Sequence, residues 1–127
     1  MKREKWGGIV MESVLRDRCF SYALRVIGVY KQIVVEFKEF VLSRQFLKAG
    51  TAIGALVFEA EFAQSKPDFV SKMSIALKEA NECRYWISLL RDSDYIKINT
   101  AKELLSENEE IIKMLVASIK TAKRINK

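Results

Sequence analysis

Four carboxylates, Glu59, Glu61, Glu79 and Glu82, fall in the middle of the 127-residue chain. Paired carboxylates serve general acid–base chemistry and hold hard cations. Little else in the sequence completes such a site. The chain contains no histidine, which removes imidazole bases, Ser-His-Asp triads, His-ligated zinc and the Glu-x-x-His sites of di-iron bundles. Gly50 and Gly54 do not belong to a Gly-x-x-x-x-Gly-Lys-Ser/Thr phosphate loop. Boundary ion pairs with Lys72, Lys78, Arg84 or Arg91 are the expected role of the four acids. No catalytic residue, metal or cofactor is expected, and the chain is not expected to be an enzyme. Cys19 and Cys83 form no CxxC pair and are expected as reduced thiols of a cytoplasmic protein.

Binding chemistry has more support. The formal net charge is +6, from 22 basic and 16 acidic residues. The excess sits at the ends: residues 1–42 carry +3 and residues 93–127 carry +2. Lys120, Lys123, Arg124 and Lys127 close the chain with no acid among them. A basic balance favours polyanions through counterion release, although solvated surface is the commoner reason for it. If the first helix starts beside the end of the last, Arg16, Arg18 and Arg25 join those cations as a candidate nucleic-acid site. Tyr85 and Trp86 are candidates for a subunit interface. Base stacking would interleave aromatics with basic residues, and that pattern is missing here.

Four helical patterns position these residues. Gly and Pro together number six, too few for a loop-rich β-sandwich. Over 17–41, Cys19, Ala23, Val26, Tyr30, Ile33, Phe37 and Val41 recur at helical spacing, and Phe20, Leu24, Ile27, Val34 and Val35 widen the stripe. Over 44–64, with Ser43 as N-cap, Phe46, Ala49, Ile53, Val57 and Ala60 share one face. Gly50 and Gly54, one turn apart, mark a close helix crossing, and Ala76 and Ala80 on the third helix are the expected partners. The third helix, 67–91, follows a Ser65–Asp68 capping box with Pro67 in the first turn. Its residues Phe69, Met73, Ala76, Ala80, Cys83, Ile87 and Leu90 alternate steps of four and three, a bundle seam. The fourth, 99–125, begins at Asn99 or Thr100. Leu104, Ile111, Leu115, Ala122 and Ile125 form one stripe, Leu105, Ile112, Val116 and Ile119 another, and Glu109 is spaced to pair with Lys113. Short breaks force antiparallel neighbours. The expected fold is all-α, an antiparallel up-down-up-down four-helix bundle. It forms one domain over 1–127, with a helical core at 17–125 and an N-terminal extension at 1–15. The longest apolar run, Ala49 to Phe58, is shorter than the roughly 18 residues of a bilayer span. No export signal or membrane association is expected.

The ordered string Gln45 to Ala55, Glu59-Ala60, Ala63 to Phe69, Lys72, Ile75 to Ala80, Glu82 and Arg84 to Leu90 resembles a bacterial four-helix-bundle family. Its founding members are encoded in intervening sequences of 23S rRNA genes. The likeness covers roughly 16–122 and is densest at 45–90. Leu56 stands where the family usually has Asn, Phe58 where a polar residue is common, and Cys83 where Thr is frequent. The resemblance implies an antiparallel bundle that assembles into a ring-shaped homopentamer, with no established enzymatic activity. A relative of the same fold, the accessory protein of diversity-generating retroelements, binds a reverse transcriptase and nucleic acid through a basic surface. The expected function is therefore an oligomeric, RNA-associated binding module. The alternative is a protein-only adaptor that docks a polymerase or reverse transcriptase.

Overall fold

The structure is a computed structural model that describes Trp6 and residues 9–124, with side chains placed from residue 13 onward and at Trp6. Among the described residues there are four helices and no strand: α1 (Ile9–Phe37), α2 (Leu42–Ala60), α3 (Lys66–Asp92) and α4 (Ile98–Arg124). Each helix lies beside two others, α1 and α3 both packing on α2 and on α4, which makes a four-helix bundle.

α1 departs furthest from expectation. It begins at Ile9, within the segment expected as an extension, and ends at Phe37 rather than Val41. Leu15 explains the early start: it is fully buried one turn before Cys19 and lengthens the core stripe. Lys38 explains the early stop. Its φ of 54° is left-handed and cannot continue a helix. Below the stop, the buried residues are Leu15, Cys19, Tyr22, Val26, Val29 and Ile33. Ala23 and Tyr30, expected in that stripe, are half-buried, while Phe37 and Val41 are exposed.

Ser43 does not cap α2. The carboxylate of Glu39 does, accepting from the backbone N–H groups of Val41 (2.9 Å), Leu42 (2.9 Å) and Ser43 (2.8 Å). These are donors that a helix start leaves unpaired. The buried Ser43 hydroxyl instead donates to the Glu39 carbonyl at 2.7 Å. α2 stops at Ala60, short of Gln64, because the next three N–H groups bond three residues back and tighten the chain out of the helix. Its expected face, Phe46, Ala49, Ile53, Val57 and Ala60, is buried throughout.

α3 matches its expected seam at all seven positions. Ser65 Oγ accepts from Asp68 N–H at 3.1 Å, and Asp68 Oδ2 reaches back to Gln64 N–H at 3.2 Å, one residue before the usual capping-box partner. At the other end Asp94 is left-handed (φ 68°), Tyr95 N–H bonds Leu90 O at 2.8 Å and Asp94 N–H bonds Arg91 O at 3.1 Å, a Schellman termination. α4 starts at Ile98, with the Lys97 carbonyl accepting from Ala101, so Asn99 and Thr100 lie inside the first turn rather than capping it. Ile125, expected in its stripe, lies outside the described residues.

The glycines face α1, not the small residues of α3. A Cβ on Gly50 would stand 2.8 Å from both Val26 methyls, and one on Gly54 would stand 3.3 Å from Cys19 Cβ. The glycines sit one position off the buried α2 stripe, on the side where α1 crosses. Ala76 and Ala80 are fully buried in the core. Contacts step backward along one helix as they step forward along its neighbour: Gly50–Val26 and Gly54–Cys19, then Ala80–Asn108 and Arg84–Leu105.

Candidate nucleic-acid interface

The four carboxylates do not form one site. Glu61, just past the end of α2, accepts from Arg16 at 2.7 Å, and Glu82 pairs with Lys78 at 3.9 Å within α3. Glu79 lies 13 residues into α3, about 20 Å along the helix from the end that joins α2. Among the described residues, no group of three or more His, Cys, Asp or Glu side chains could hold a metal ion. Of the expected basic partners, Lys72 pairs with Asp68 (3.0 Å), Arg91 with Asp92 (2.8 Å), and Arg84 donates to the Leu105 carbonyl (3.4 Å).

A cavity of about 770 Å³ lies where the end of α1 meets the α3–α4 connection. Glu36, Arg91, Asp92, Tyr95, Lys97 and Thr100 are among its lining residues. Both signs of charge line it, and it contains no histidine or thiol. Cys19 and Cys83 are buried in the core. Burial pushes their thiols up to about 12 and about 11, away from the reactive thiolate form.

The candidate cations divide into two groups. Arg16 is bonded to Glu61 and also lies 3.6 Å from Asp17; the Glu61 bond raises its pKa further above the ordinary guanidinium value. Arg25 is held by Glu103 and by Glu107, the latter at 3.3 Å. Both are engaged within the chain. Arg18 is exposed on α1, lining a groove with Ser21, Tyr22 and Glu107. Lys120, Lys123 and Arg124 are exposed in the last turns of α4, and Lys127 lies outside the described residues.

These groups are only partly brought together. Because α1 begins at Ile9, Arg25 sits 16 residues in, about 24 Å from the helix start. Tyr22 meets Asn108 across the α1–α4 seam, and Lys120 lies a further 12 residues, about 18 Å, along α4. Arg25 therefore belongs to the middle of the bundle.

One cation escaped the sequence reading. Lys113, expected to pair with Glu109, forms no ion pair with it and is exposed. With Lys120 and Arg124 it lines a shallow groove on α4 of about 430 Å³, whose other walls include Val116, Ala117 and Thr121. A spacing of seven then four residues was the available signal, since it keeps all three on one face. No acid follows Glu110 in the chain.

The aromatic candidates also separate. Trp86 is half-buried against the core, and Tyr85, 61% exposed, meets it edge-on at 5.0 Å. Phe58 and Phe62 form a second edge-on pair at 5.5 Å, both more than half exposed. On α1, Phe20 (66%), Leu24 (57%) and Val35 (74%) face outward. No described helix is long and apolar enough to cross a membrane.

Residues 12–117 match the model of the 23S rRNA-intervening sequence protein family. The fold is similar to the crystal structure of a protein with unknown function from the S23 ribosomal protein family of Bacteroides thetaiotaomicron. That likeness has a TM-score of 0.86 and 45% identity, and covers 87% of this chain and 99% of the other. No curated protein matches the chain. With a family match over most of its length and a neighbour of similar fold at 45% identity, the chain belongs to the 23S rRNA-intervening sequence proteins.

Proposed function

We propose that this protein is a non-enzymatic, oligomeric RNA-binding module of the cytoplasm. In this reading it is an up-down-up-down antiparallel bundle that assembles as a homopentamer. The reversed order of contacts between neighbouring helices supports the antiparallel arrangement. The outward Phe20, Leu24 and Val35 support assembly, because an apolar face left in water marks an interface. The number five rests on the family resemblance.

One observation carries the RNA reading. Among the described residues, no carboxylate pairs with Lys120, Lys123 or Arg124, whereas Arg16 and Arg25 are neutralised within the chain. A helix C-terminus gains up to about 1 kcal/mol from each nearby cation, so the macrodipole alone explains some of the basic end. Repetition round a ring would turn each basic end into a collar and let weak sites add. A gel shift against structured RNA at two salt concentrations tests this. Binding is expected to fall steeply with salt. Replacing Lys120, Lys123, Arg124 and Lys127 with Gln should weaken it and leave the oligomer intact by light scattering. A monomer at micromolar concentration would sink the assembly.

The exposed Phe58–Phe62 pair favours a second reading, a protein-only adaptor that docks a polymerase or reverse transcriptase. It takes the lead if the fourfold variant binds RNA as well as the parent at every salt concentration.

A further inference from the structure

Of the α4 cations that have no ion pair among the described residues, three form a row rather than a cluster. Lys113, Lys120 and Arg124 share one face and line the same groove. They span 11 residues, about 16 Å of straight helix. Between them stand Ala117 and Thr121, small side chains that leave the space open and offer a hydroxyl donor. No acid lies within or beyond the row: Glu103, Glu107, Glu109 and Glu110 all precede Lys113, the first two are engaged by Arg25, and Glu109 stands one turn before Lys113 without an ion pair to it.

α4 also carries no Phe, Tyr or Trp anywhere in its length. Proteins that hold single strands stack bases on aromatic side chains beside the basic groove. This groove has nothing on which to stack. A rigid row of point charges discriminates by charge density instead. A duplex presents a phosphate charge every roughly 1.7 Å of axis and one strand every roughly 3.4 Å, so the row faces about twice the charge on a duplex.

We infer that the α4 groove is a phosphate-backbone site for paired nucleic-acid strands, with Lys113 as its previously unassigned inner contact and Lys120 and Arg124 completing the row. The inference rests on the RNA-binding reading and narrows it to double-stranded segments recognised without regard to sequence. Thr121 donates to a phosphate oxygen between the cations.

The test uses the full chain and fluorescence anisotropy with three probes: a 12-base-pair RNA duplex, a DNA duplex of the same length, and an unpaired 24-nucleotide oligouridine. Both duplexes present the shared chemistry, and the tighter of them names the source. At least tenfold preference for a duplex over oligouridine is expected. Lys113→Gln should weaken duplex binding about threefold to tenfold and lower the salt slope by about one. Lys48→Gln, which removes the same charge from the exposed face of α2, should do neither. Circular dichroism confirms that both variants stay helical. Equal affinity for oligouridine, or equal effects of the two substitutions, would overturn the duplex site and leave RNA binding standing. Failure of the parent chain to bind any of the three probes would overturn the RNA reading itself.

Discussion

Asn108 Nδ2 on α4 lies 3.3 Å from Tyr22 Oη on α1, both side chains buried. The same nitrogen donates to the Ala80 carbonyl of α3 at 3.0 Å, and Tyr22 Oη lies 3.6 Å from Cys83 Sγ. Three helices thus meet through one amide whose Oδ1 has no hydrogen-bond partner among the described residues. Tyr22→Phe should cost about 1 kcal/mol, because it takes an acceptor from a buried donor. Asn108→Leu, similar in size and fully apolar, should change stability by less than about 1 kcal/mol. Urea unfolding of the two single variants and the double variant is expected to give a coupling of about 1 kcal/mol between the positions. Strict additivity would contradict the link.

Gly50 and Gly54 are expected to respond differently to alanine. A helical Gly→Ala change gains up to about 1 kcal/mol of propensity. At Gly50 the new methyl would stand 2.8 Å from both Val26 methyls, so overpacking of about 1–3 kcal/mol should outweigh that gain. At Gly54 the nearest atom is 3.3 Å away, and the two effects should nearly cancel. Thermal melts of Gly50→Ala with and without Val26→Ala give the check: the second substitution should recover part of the loss.

Glu39 gives acid sensitivity a defined source. Partial burial pushes its carboxyl up, but the N–H groups of Leu42, Ser43 and Val41 outweigh this and hold it below the ordinary glutamate value. The folded state therefore binds fewer protons here than the unfolded state. Its stabilisation is complete above the unfolded value, about 4.3, and is lost as the pH falls through the lower folded value. Glu39→Gln should cost about 1 kcal/mol at pH 7, the usual worth of a cap. The difference from the parent should shrink in acid denaturation curves below pH ~4.

Both thiols are expected to resist alkylation in the folded protein at pH 8. Cys19 and Cys83 are at most 1% exposed, and their pKa values are pushed up by burial. Mass spectrometry after iodoacetamide treatment should show no adduct until denaturant is added. Rapid labelling of either cysteine would contradict the packing of α1 on α2 or of α3 in the core.

Where apolar residues kept to one face, the sequence was legible. Every expected α3 position from Phe69 to Leu90 is buried, because charged residues flank that seam on both sides. α1 was harder. Phe20, Leu24, Ile27 and Val35 make it apolar on more than one face, so periodicity does not choose Tyr22 and Val29 over Ala23 and Tyr30. The Glu39 cap was missed because its carboxylate reaches over intervening residues, whereas Ser43 stood at the conventional position. Asn108 lay hidden between two apolar stripes, and nothing local marks an asparagine as buried. Spacing alone pairs Lys113 with Glu109, yet an exposed pair of that kind is worth only a few tenths of a kcal/mol and need not form.

The polar contacts that join α1 to α4 also bear on the order of assembly. Tyr22 and Asn108 are 86 residues apart in the chain, and Arg25 and Glu107 are 82 apart. Across α3 and α4 the corresponding separations are 28 for Ala80–Asn108 and 21 for Arg84–Leu105. Closing the longer loop costs about 1 kcal/mol more chain entropy than closing the shorter ones. The α3–α4 hairpin therefore has the head start, and the α1–α4 seam should zip last and open first. Native-state amide exchange would display this as weaker protection along the facing edges of α1 and α4 than in the middle of α3.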